Sequence, residues 1–179
     1  MRIISGKHKG LNLKGFDIDG TRPTMDRVKE SLFAIINPYI KDSVVLDLFA
    51  GSASLGLEAL SNGASKLYLV EKNKQMVDII KENVNKANEN NNCVIIHSDY
   101  NEALNRFKNI KFDIIFLDPP YNLNLINDCL VKIKEMDLLK QDGIIVCEYE
   151  SEVLNDGIFQ LIKFKKYGSK LVKIYINSK

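Results

Sequence analysis

The segment Asp118-Pro119-Pro120-Tyr121 has the residue types and the order to bind a planar amine. It follows an apolar run, and two consecutive prolines stiffen the chain and leave carbonyl groups that no helix or strand uses. The Asp118 carboxylate and the Pro119 carbonyl can accept both N–H bonds of an exocyclic amine, while Tyr121 can stack on the ring that bears it. The competing interpretation is a rigid turn after a buried strand.

A second group of candidates lies in the segment Asp47-Leu48-Phe49-Ala50-Gly51-Ser52, called the glycine segment below, and in two later acids. Small residues let a backbone approach a ligand closely, and the helix that follows offers free N–H groups. Glu71, twenty residues after Gly51, can accept hydrogen bonds from both hydroxyls of a ribose. Asp99 can accept from an adenine amino group. Together these positions predict a ligand that contains adenosine.

Two alternatives compete with that interpretation. Asp47 is also typical of an acid that caps the turn after a strand. Gly51-x-Ala53-x-x-Gly56 resembles a dinucleotide fingerprint whose second glycine is replaced, and Glu71 serves that ligand equally well.

Alternating apolar runs predict the elements that position these residues. We expect strands over 44–49, 66–70, 93–97, 112–117 and 143–147, helices over 54–63, 73–87 and 123–136, and two final strands over 158–164 and 170–176. Strands that alternate with helices indicate an α/β doubly wound sheet, here with an antiparallel end. Ligands of such sheets bind beyond the carboxyl ends of the strands, where the candidate residues fall.

The first 38 residues follow a different pattern. Four glycines in the first twenty residues predict a short hairpin. A helix follows, with Thr24 as its N-cap and Pro38 at its end. Its apolar positions are Val28, Leu32, Ile35 and Ile36, and its polar face is expected to carry Asp26, Arg27, Lys29 and Glu30.

Composition and charge limit the functional classes. The 179 residues suit one domain, and no apolar run approaches the length of a membrane span, so we expect a cytoplasmic protein. Cys93, Cys129 and Cys147 lack metal-site spacing and are expected to be buried thiols. The formal charge is +3 over residues 1–30, −7 over 31–156 and +6 over 157–179. Basic ends suggest a polyanionic partner, whereas solvated lysines are the plainer explanation.

The motifs together resemble those of class I methyltransferases, which use S-adenosyl-L-methionine. The N-terminal residues narrow the resemblance to the RsmD family. These residues are Arg2-Ile3-Ile4-Ser5-Gly6, Lys9-Gly10 and the run Arg22-Pro23-Thr24-x-Asp26-Arg27-Val28-Lys29-Glu30-Ser31-Leu32-Phe33. The resemblance implies a Rossmann-like seven-stranded sheet and methylation of the exocyclic N2 amine of one guanine in 16S ribosomal RNA. It also implies a single domain, with an RNA-facing appendage over 1–38 and a cofactor-binding core over 39–179.

The resemblance also implies the roles of individual residues. Asp47, Phe49, Gly51, Ser52, Glu71 and Asp99 would bind the cofactor, and Asp118, Pro119, Pro120 and Tyr121 would hold the target base. Arg22, Pro23 and Thr24 would form the rim of the active site, with Lys7 and Lys9 on the RNA side. The expected partner is ribosomal RNA in the small subunit or its assembly intermediate, bound by a monomer, without a metal or a membrane.

Three other functions compete with this one. An adenine-N6 methyltransferase shares the Asp-Pro-Pro-Tyr segment, a dinucleotide oxidoreductase explains only the glycine segment and Glu71, and a non-catalytic RNA-binding assembly factor could retain the fold. Ser52 and Ser54 lack a base at motif spacing, so no nucleophile is predicted. His8 could contact phosphate or be idle, His97 is expected to be structural, and Glu148 and Glu150 are expected to be rim residues.

Overall fold

The computed structural model describes residues 1–15 and 22–178, with only the backbone of residues 22–24. Within that part of the chain seven strands form one sheet in the order β3-β2-β1-β4-β5-β7-β6. The strands are β1 (Val44–Asp47), β2 (Lys66–Glu71), β3 (Cys93–His97), β4 (Phe112–Leu117), β5 (Leu139–Tyr149), β6 (Gln160–Tyr167) and β7 (Lys170–Ile176). The first five pair in parallel, and β7 is antiparallel to both of its neighbours. The predicted doubly wound sheet with an antiparallel end is confirmed.

Helices cover both faces of the sheet. They are α1 (Arg22–Ile36), α2 (Ser54–Ser61), α3 (Lys74–Lys86), α4 (Tyr100–Arg106) and α5 (Ile126–Glu135). Side chains alternate along a strand, so Val45 packs in the core shared with α1, α2 and α3, whereas Leu46 packs in the core shared with α4 and α5. None of the helices in the described ranges is long and apolar enough to cross a membrane.

Several predicted boundaries differ from the structure; β6, for example, runs from Gln160 to Tyr167 instead of 158–164. Strand β5 runs from Leu139 to Tyr149, beyond the predicted 143–147 at both ends, because Leu139 pairs with Phe112 of β4 and residues 144–149 pair with β7. Helix α5 begins at Ile126, since a 3-10 turn over Tyr121–Leu123 and a left-handed Asn124 occupy its predicted first turn. Strand β1 stops at Asp47, where the glycine segment leaves the sheet.

Helix α4 was not predicted. The sequence nonetheless contains an N-cap residue for this helix, Asp99. The Asp99 side chain accepts a hydrogen bond from the Glu102 backbone N–H at 2.9 Å, which caps the helix. Ala103, Leu104 and Phe107 then pack in the core at helical spacing.

The N-terminal segment forms the predicted hairpin, as an isolated antiparallel bridge between Arg2 and Asn12 that surrounds a 3-10 turn over Gly6–His8. The part of this prediction that concerns residues 16–21 lies outside the described residues. Helix α1 begins at Arg22, so the prediction that Thr24 caps it is wrong.

A buried ion pair between α1 and α2 attaches this hairpin to both helices, which contradicts the expected polar position of Lys29. The Lys29 ammonium lies 3.0 Å from the Glu58 carboxylate, and both residues are buried. Glu58 also accepts hydrogen bonds from the backbone N–H groups of Ile4 and Ser5. Lys29 is buried because its ammonium satisfies this carboxylate and the Arg2 carbonyl oxygen, 2.6 Å away.

The cysteines are free thiols, as predicted, and Cys129 and Cys147 are buried. Cys93 is only partly buried, because it begins the edge strand β3, whose residues are all partly or fully exposed.

Candidate active site

The predicted site residues meet at the carboxyl edge of the parallel strands. Asp47 ends β1, Glu71 ends β2 and Asp118 directly follows β4. Because β1 lies between β2 and β4, the glycine segment that follows Asp47 is flanked by the other two acids. This edge is where open α/β sheets bind their ligands.

A cavity of about 1240 Å³ opens at this edge. Its lining includes eight of the predicted residues, namely Phe49, Gly51, Glu71, Asp99, Asp118, Pro119, Pro120 and Tyr121. Sequence analysis did not assign the apolar side chains that line it between them, which are Leu48, Val70, Tyr100, Leu123 and Leu125. An apolar cleft with a few convergent polar groups is the usual form of a small-molecule site.

Glu71 connects the end of β2 to the glycine segment. One carboxylate oxygen accepts from the Gly51 backbone N–H at 2.8 Å, and the other accepts from the Asn73 N–H at 2.8 Å. Gly51 adopts a left-handed conformation with φ +56°, and a Cβ placed there would meet no atom within 4 Å. The missing side chain therefore leaves open space over the cavity beside the Glu71 carboxylate.

Asp47 is buried with one oxygen unsatisfied. Its Oδ2 accepts a 3.3 Å hydrogen bond from the Gly56 backbone N–H, which is the predicted capping contact, whereas Oδ1 has no hydrogen-bond partner in the described part of the chain. Burial raises the pKa of Asp47 to about 7; the hydrogen bond from Gly56 opposes this rise, and repulsion from Glu71 adds to it. An unsatisfied buried carboxylate oxygen at a cavity wall is suited to a cationic or N–H-bearing ligand.

Asp99 and Phe49 also line this cavity. Asp99 is exposed, and its Oδ1 is the oxygen that caps α4. The Phe49 ring packs against Tyr100 with 5.6 Å between the ring centroids, and the Tyr100 hydroxyl donates to Asp128 at 2.8 Å. These contacts hold two aromatic rings in fixed positions along the cavity wall.

A second, smaller cavity of about 270 Å³ lies on the α1 side. It is lined by Asp47, Ser52 and Asp118, by the α1 residues Met25, Asp26, Val28, Lys29 and Leu32, and by Glu148 and Lys170 among others. Phe49, Gly51 and Asp118 line both cavities. Asp118 therefore lies where the two cavities adjoin.

Glu148 corrects an expectation, because it is buried rather than a rim residue. Its carboxylate accepts from the Lys170 ammonium at 2.6 Å, and that ammonium lies 6.0 Å from the centroid of the Tyr121 ring. Burial and repulsion from Glu148 raise the pKa of Asp118, and Lys170 opposes this effect. Neither Glu148 nor Lys170 belongs to a short motif, so only the pairing of β5 with β7 brings them to the site.

The predicted rim is only partly at the site. Lys7 and Lys9 line neither cavity, and Lys7 and His8 both contact the Glu89 carboxylate, at 2.6 Å and 2.7 Å. The side chains of Arg22, Pro23 and Thr24 lie outside the described residues. The Ser52 hydroxyl donates to the Met1 sulfur at 3.1 Å, which brings the start of the hairpin to the cavity wall.

Three further polar residues, Asn83, His97 and Glu150, lie outside the two cavities. The buried Asn83 was not predicted; its amide donates to the backbone oxygens of Ser52 and Lys14, and it fastens the hairpin to the glycine segment. His97 is exposed, and its ring Nε2 lies 3.0 Å from the Lys72 carbonyl oxygen. Glu150 is exposed, as a rim residue would be.

Comparison with known proteins identifies the family. The family model described as "Conserved hypothetical protein 95" matches residues 1–176. The chain belongs to this family. It is 38% identical to the Bacillus subtilis protein YlbH, named as a candidate rRNA methyltransferase, over 98% of each chain. It is 36% identical to the Haemophilus influenzae ribosomal RNA small subunit methyltransferase D, over 99% of this chain and 94% of that protein.

A solved structure also supports the assignment to this family. An Escherichia coli protein described as a candidate methyltransferase superposes with a TM-score of 0.87 at 29% identity, over 99% of this chain and 98% of that one. The resemblance to the RsmD family and the Rossmann-like class I methyltransferase fold are thereby confirmed. The expectation of a methyltransferase is confirmed as well.

Proposed function

We propose that this chain transfers the methyl group of S-adenosylmethionine to the exocyclic N2 amine of a guanine in the RNA of the small ribosomal subunit. One observation carries the proposal: Asp118, with its Pro-Pro-Tyr segment, stands at the end of β4 where two cavities adjoin. A transfer between two bound molecules needs two sites that meet at the reacting atoms. The names of the relatives support ribosomal RNA as the substrate class.

The larger cavity suits the cofactor. Glu71 offers carboxylate oxygens for the ribose hydroxyls, and Phe49 offers an apolar wall. Asp99 is assigned to the adenine amino group through the oxygen that does not cap α4. The positively charged methionine end would extend past the open space at Gly51 into the smaller cavity, where the unsatisfied Asp47 oxygen and Ser52 suit it. When bound, S-adenosylmethionine supplies a methyl group on a sulfonium, which is a strong electrophile.

The chain's own contribution is to hold and orient the amine. The Asp118 carboxylate and the Pro119 carbonyl accept its two N–H bonds and aim the nitrogen lone pair out of the base plane, while Tyr121 stacks on the base. Positive charge grows on the nitrogen as the new bond forms, and the two acceptors stabilise that charge and favour loss of a proton afterwards. Pro120 keeps the segment rigid.

The target base must leave its stack to reach this site. We assign the rim over it to Arg22, Pro23 and Thr24, residues 1–38 to contact with RNA, and residues 39–179 to the cofactor-binding core. The partner is the small subunit or its assembly intermediate, met by a monomer in the bacterial cytoplasm.

The experiment that tests this function uses small subunits from a strain without this protein. They are incubated with the purified chain and labelled S-adenosylmethionine, and the RNA is mapped by mass spectrometry. We expect one N2-methylguanosine. Asp118→Ala should lower the rate by at least ~100-fold, as for loss of one transition-state stabiliser, with the affinity for S-adenosylhomocysteine unchanged. Formation of N6-methyladenosine, or no transfer at all, would contradict the proposal.

A further inference from the structure

Glu148 and Lys170 form a charged pair inside the smaller cavity, beside Asp118. Glu148 lies on β5 and is 6% exposed, and Lys170 begins β7. Their charged atoms are 2.6 Å apart, and both side chains line the same space as Asp118. Asp26, Lys29 and Asp47 also line this cavity, but Asp118, Glu148 and Lys170 belong to neighbouring strands. Because β4, β5 and β7 follow one another in the sheet, the charges along this part of the wall run carboxylate, carboxylate, ammonium.

Stability does not explain why a charged residue, Glu148, occupies a buried position beside the partly exposed Lys170. Ile144 and Val146 precede Glu148 on the same face of β5, and both are core residues. An apolar residue at position 148 would continue that row. Replacing a buried ion pair by apolar residues is often neutral or stabilising, so the pair needs a reason other than packing.

The order of these groups matches the hydrogen-bonding edge of guanine. That edge presents the N2 amine as a donor, N1–H as a second donor and O6 as an acceptor. The corresponding edge of adenine presents the N6 amine as a donor and N1 as an acceptor, so its N1 lone pair would face a carboxylate and be repelled.

We propose that Glu148 and Lys170 select guanine: Glu148 accepts from N1–H, Lys170 donates to O6, and Asp118 accepts from the N2 amine. This inference rests on the proposed function and adds the basis of its base selectivity. The Asp-Pro-Pro-Tyr segment recognises an amine, and the ion pair on β5 and β7 distinguishes which purine carries it. The Lys170 ammonium also lies over the Tyr121 ring. Lys170 therefore connects the residue that stacks on the base with the residues that bind its hydrogen-bonding edge.

A base analogue isolates this role. Small subunits are reconstituted with RNA that carries 2-aminopurine in place of the methylated guanine. 2-Aminopurine keeps the amine but lacks N1–H and O6, so the pair would be left without its partners. We expect the wild-type kcat/KM to be ~100-fold or more lower for 2-aminopurine, because sites built to hydrogen-bond a group strongly reject analogues without it.

The variant Glu148→Leu/Lys170→Met removes both charges together and leaves neither unpaired. Its preference for guanine should fall to about tenfold or less, mostly through slower methylation of guanine. Lys173→Met is the matched control, since Lys173 lies on β7 and pairs with Asp156 at 2.7 Å, outside both cavities. It should keep the wild-type preference.

Glu148→Gln provides a second measurement with little change of volume, in case the double variant does not fold. A neutral acceptor makes a weaker hydrogen bond than a carboxylate, so the preference should fall by roughly tenfold. Equal wild-type rates on guanine and 2-aminopurine would overturn the inference while leaving guanine methylation established. An unchanged preference in a folded Glu148→Gln or double variant would overturn it as well, whereas no transfer to guanine by the wild type would refute the proposed function itself.

Discussion

Glu71 accepts a hydrogen bond from the Gly51 backbone N–H at 2.8 Å, so the acid at the end of β2 holds the glycine segment that follows β1. The two residues are twenty positions apart and meet because their strands are adjacent in the sheet. Glu71 consequently has a structural contact in addition to the ribose contact proposed for it.

Glu71→Ala should weaken binding of S-adenosylhomocysteine by tenfold or more. Hydrogen bonds to charged groups contribute about 1.5–3 kcal/mol each, and 1.4 kcal/mol corresponds to one decade of affinity. Isothermal titration calorimetry measures the change. Asp78→Ala is the control, because this exposed acid on α3 forms an ion pair with Lys74 and lines neither cavity. Wild-type affinity in Glu71→Ala would mean that the cofactor does not lie across β2.

Asp47→Asn should change stability in a pH-dependent way. The pKa of Asp47 is about 7 in the folded chain and about 4 in the unfolded chain, so the folded state holds the proton more tightly. The wild type therefore loses stability as the pH rises from about 4 to about 7, and Asn avoids that loss because it cannot ionise. Thermal melts of both proteins without ligand measure the effect. Relative to the wild type, the free energy of unfolding of the variant should increase by up to a few kcal/mol as the pH rises from 5 to 8.

The difference between the two proteins is the measured quantity, because groups that titrate in both cancel. The same substitution should weaken binding of S-adenosylmethionine, since Asp47 is assigned to its positive end. A stability difference that stays constant from pH 5 to 8 would show that burial does not raise the pKa of Asp47.

Much of the site could be predicted from the sequence because its residues lie in short segments. Asp47, Glu71 and Asp118 each end a strand that an apolar run predicts, and parallel strands bring their ends to one edge. Glu148 was expected only at the rim and Lys170 was not assigned to the site, because their proximity depends on the antiparallel pairing of β5 with β7. Lys29 was misplaced for a related reason: its partner Glu58 lies on another helix, and helical periodicity alone cannot reveal a buried ion pair.

Gly6→Ala should destabilise the attachment of the N-terminal hairpin. Gly6 has φ +76°, and a Cβ there would lie 2.0 Å from the Ser61 carbonyl oxygen. Gly10→Ala is the matched control, because Gly10 has φ +90° but no atom within 4 Å of that position. Denaturant unfolding should give a loss of about 1–2 kcal/mol for Gly10→Ala from backbone strain, and a larger loss for Gly6→Ala from strain plus the clash. Equal losses would mean that the hairpin is not held against α2 at this point.

We expect the lysines of strand β6 to contact RNA more than those of the N-terminal hairpin. Three cations of the hairpin are already paired with carboxylates: Arg2 with Asp26, Lys7 with Glu89 and Lys14 with Glu82. The edge strand β6 carries three exposed lysines, at positions 163, 165 and 166, and within the described part of the chain none of them forms an ion pair. Strand β6 also leads directly into Lys170 at the cavity, through the turn after Tyr167.

We expect the triple Gln variant of the β6 lysines to weaken RNA binding more than the triple Gln variant of Lys7, Lys9 and Lys14. Both remove the same charge, so they form a matched pair. Each lysine that neutralises a phosphate steepens the dependence of log affinity on log salt, so its removal should flatten that slope by about 0.7–0.9, which binding across a salt series measures. Lysines on an edge strand also prevent strand pairing between molecules. If they did only that, the β6 variant would aggregate while its monomer kept the wild-type salt slope. A flatter slope in the hairpin variant alone would limit the phosphate contacts to residues 1–38 and exclude β6.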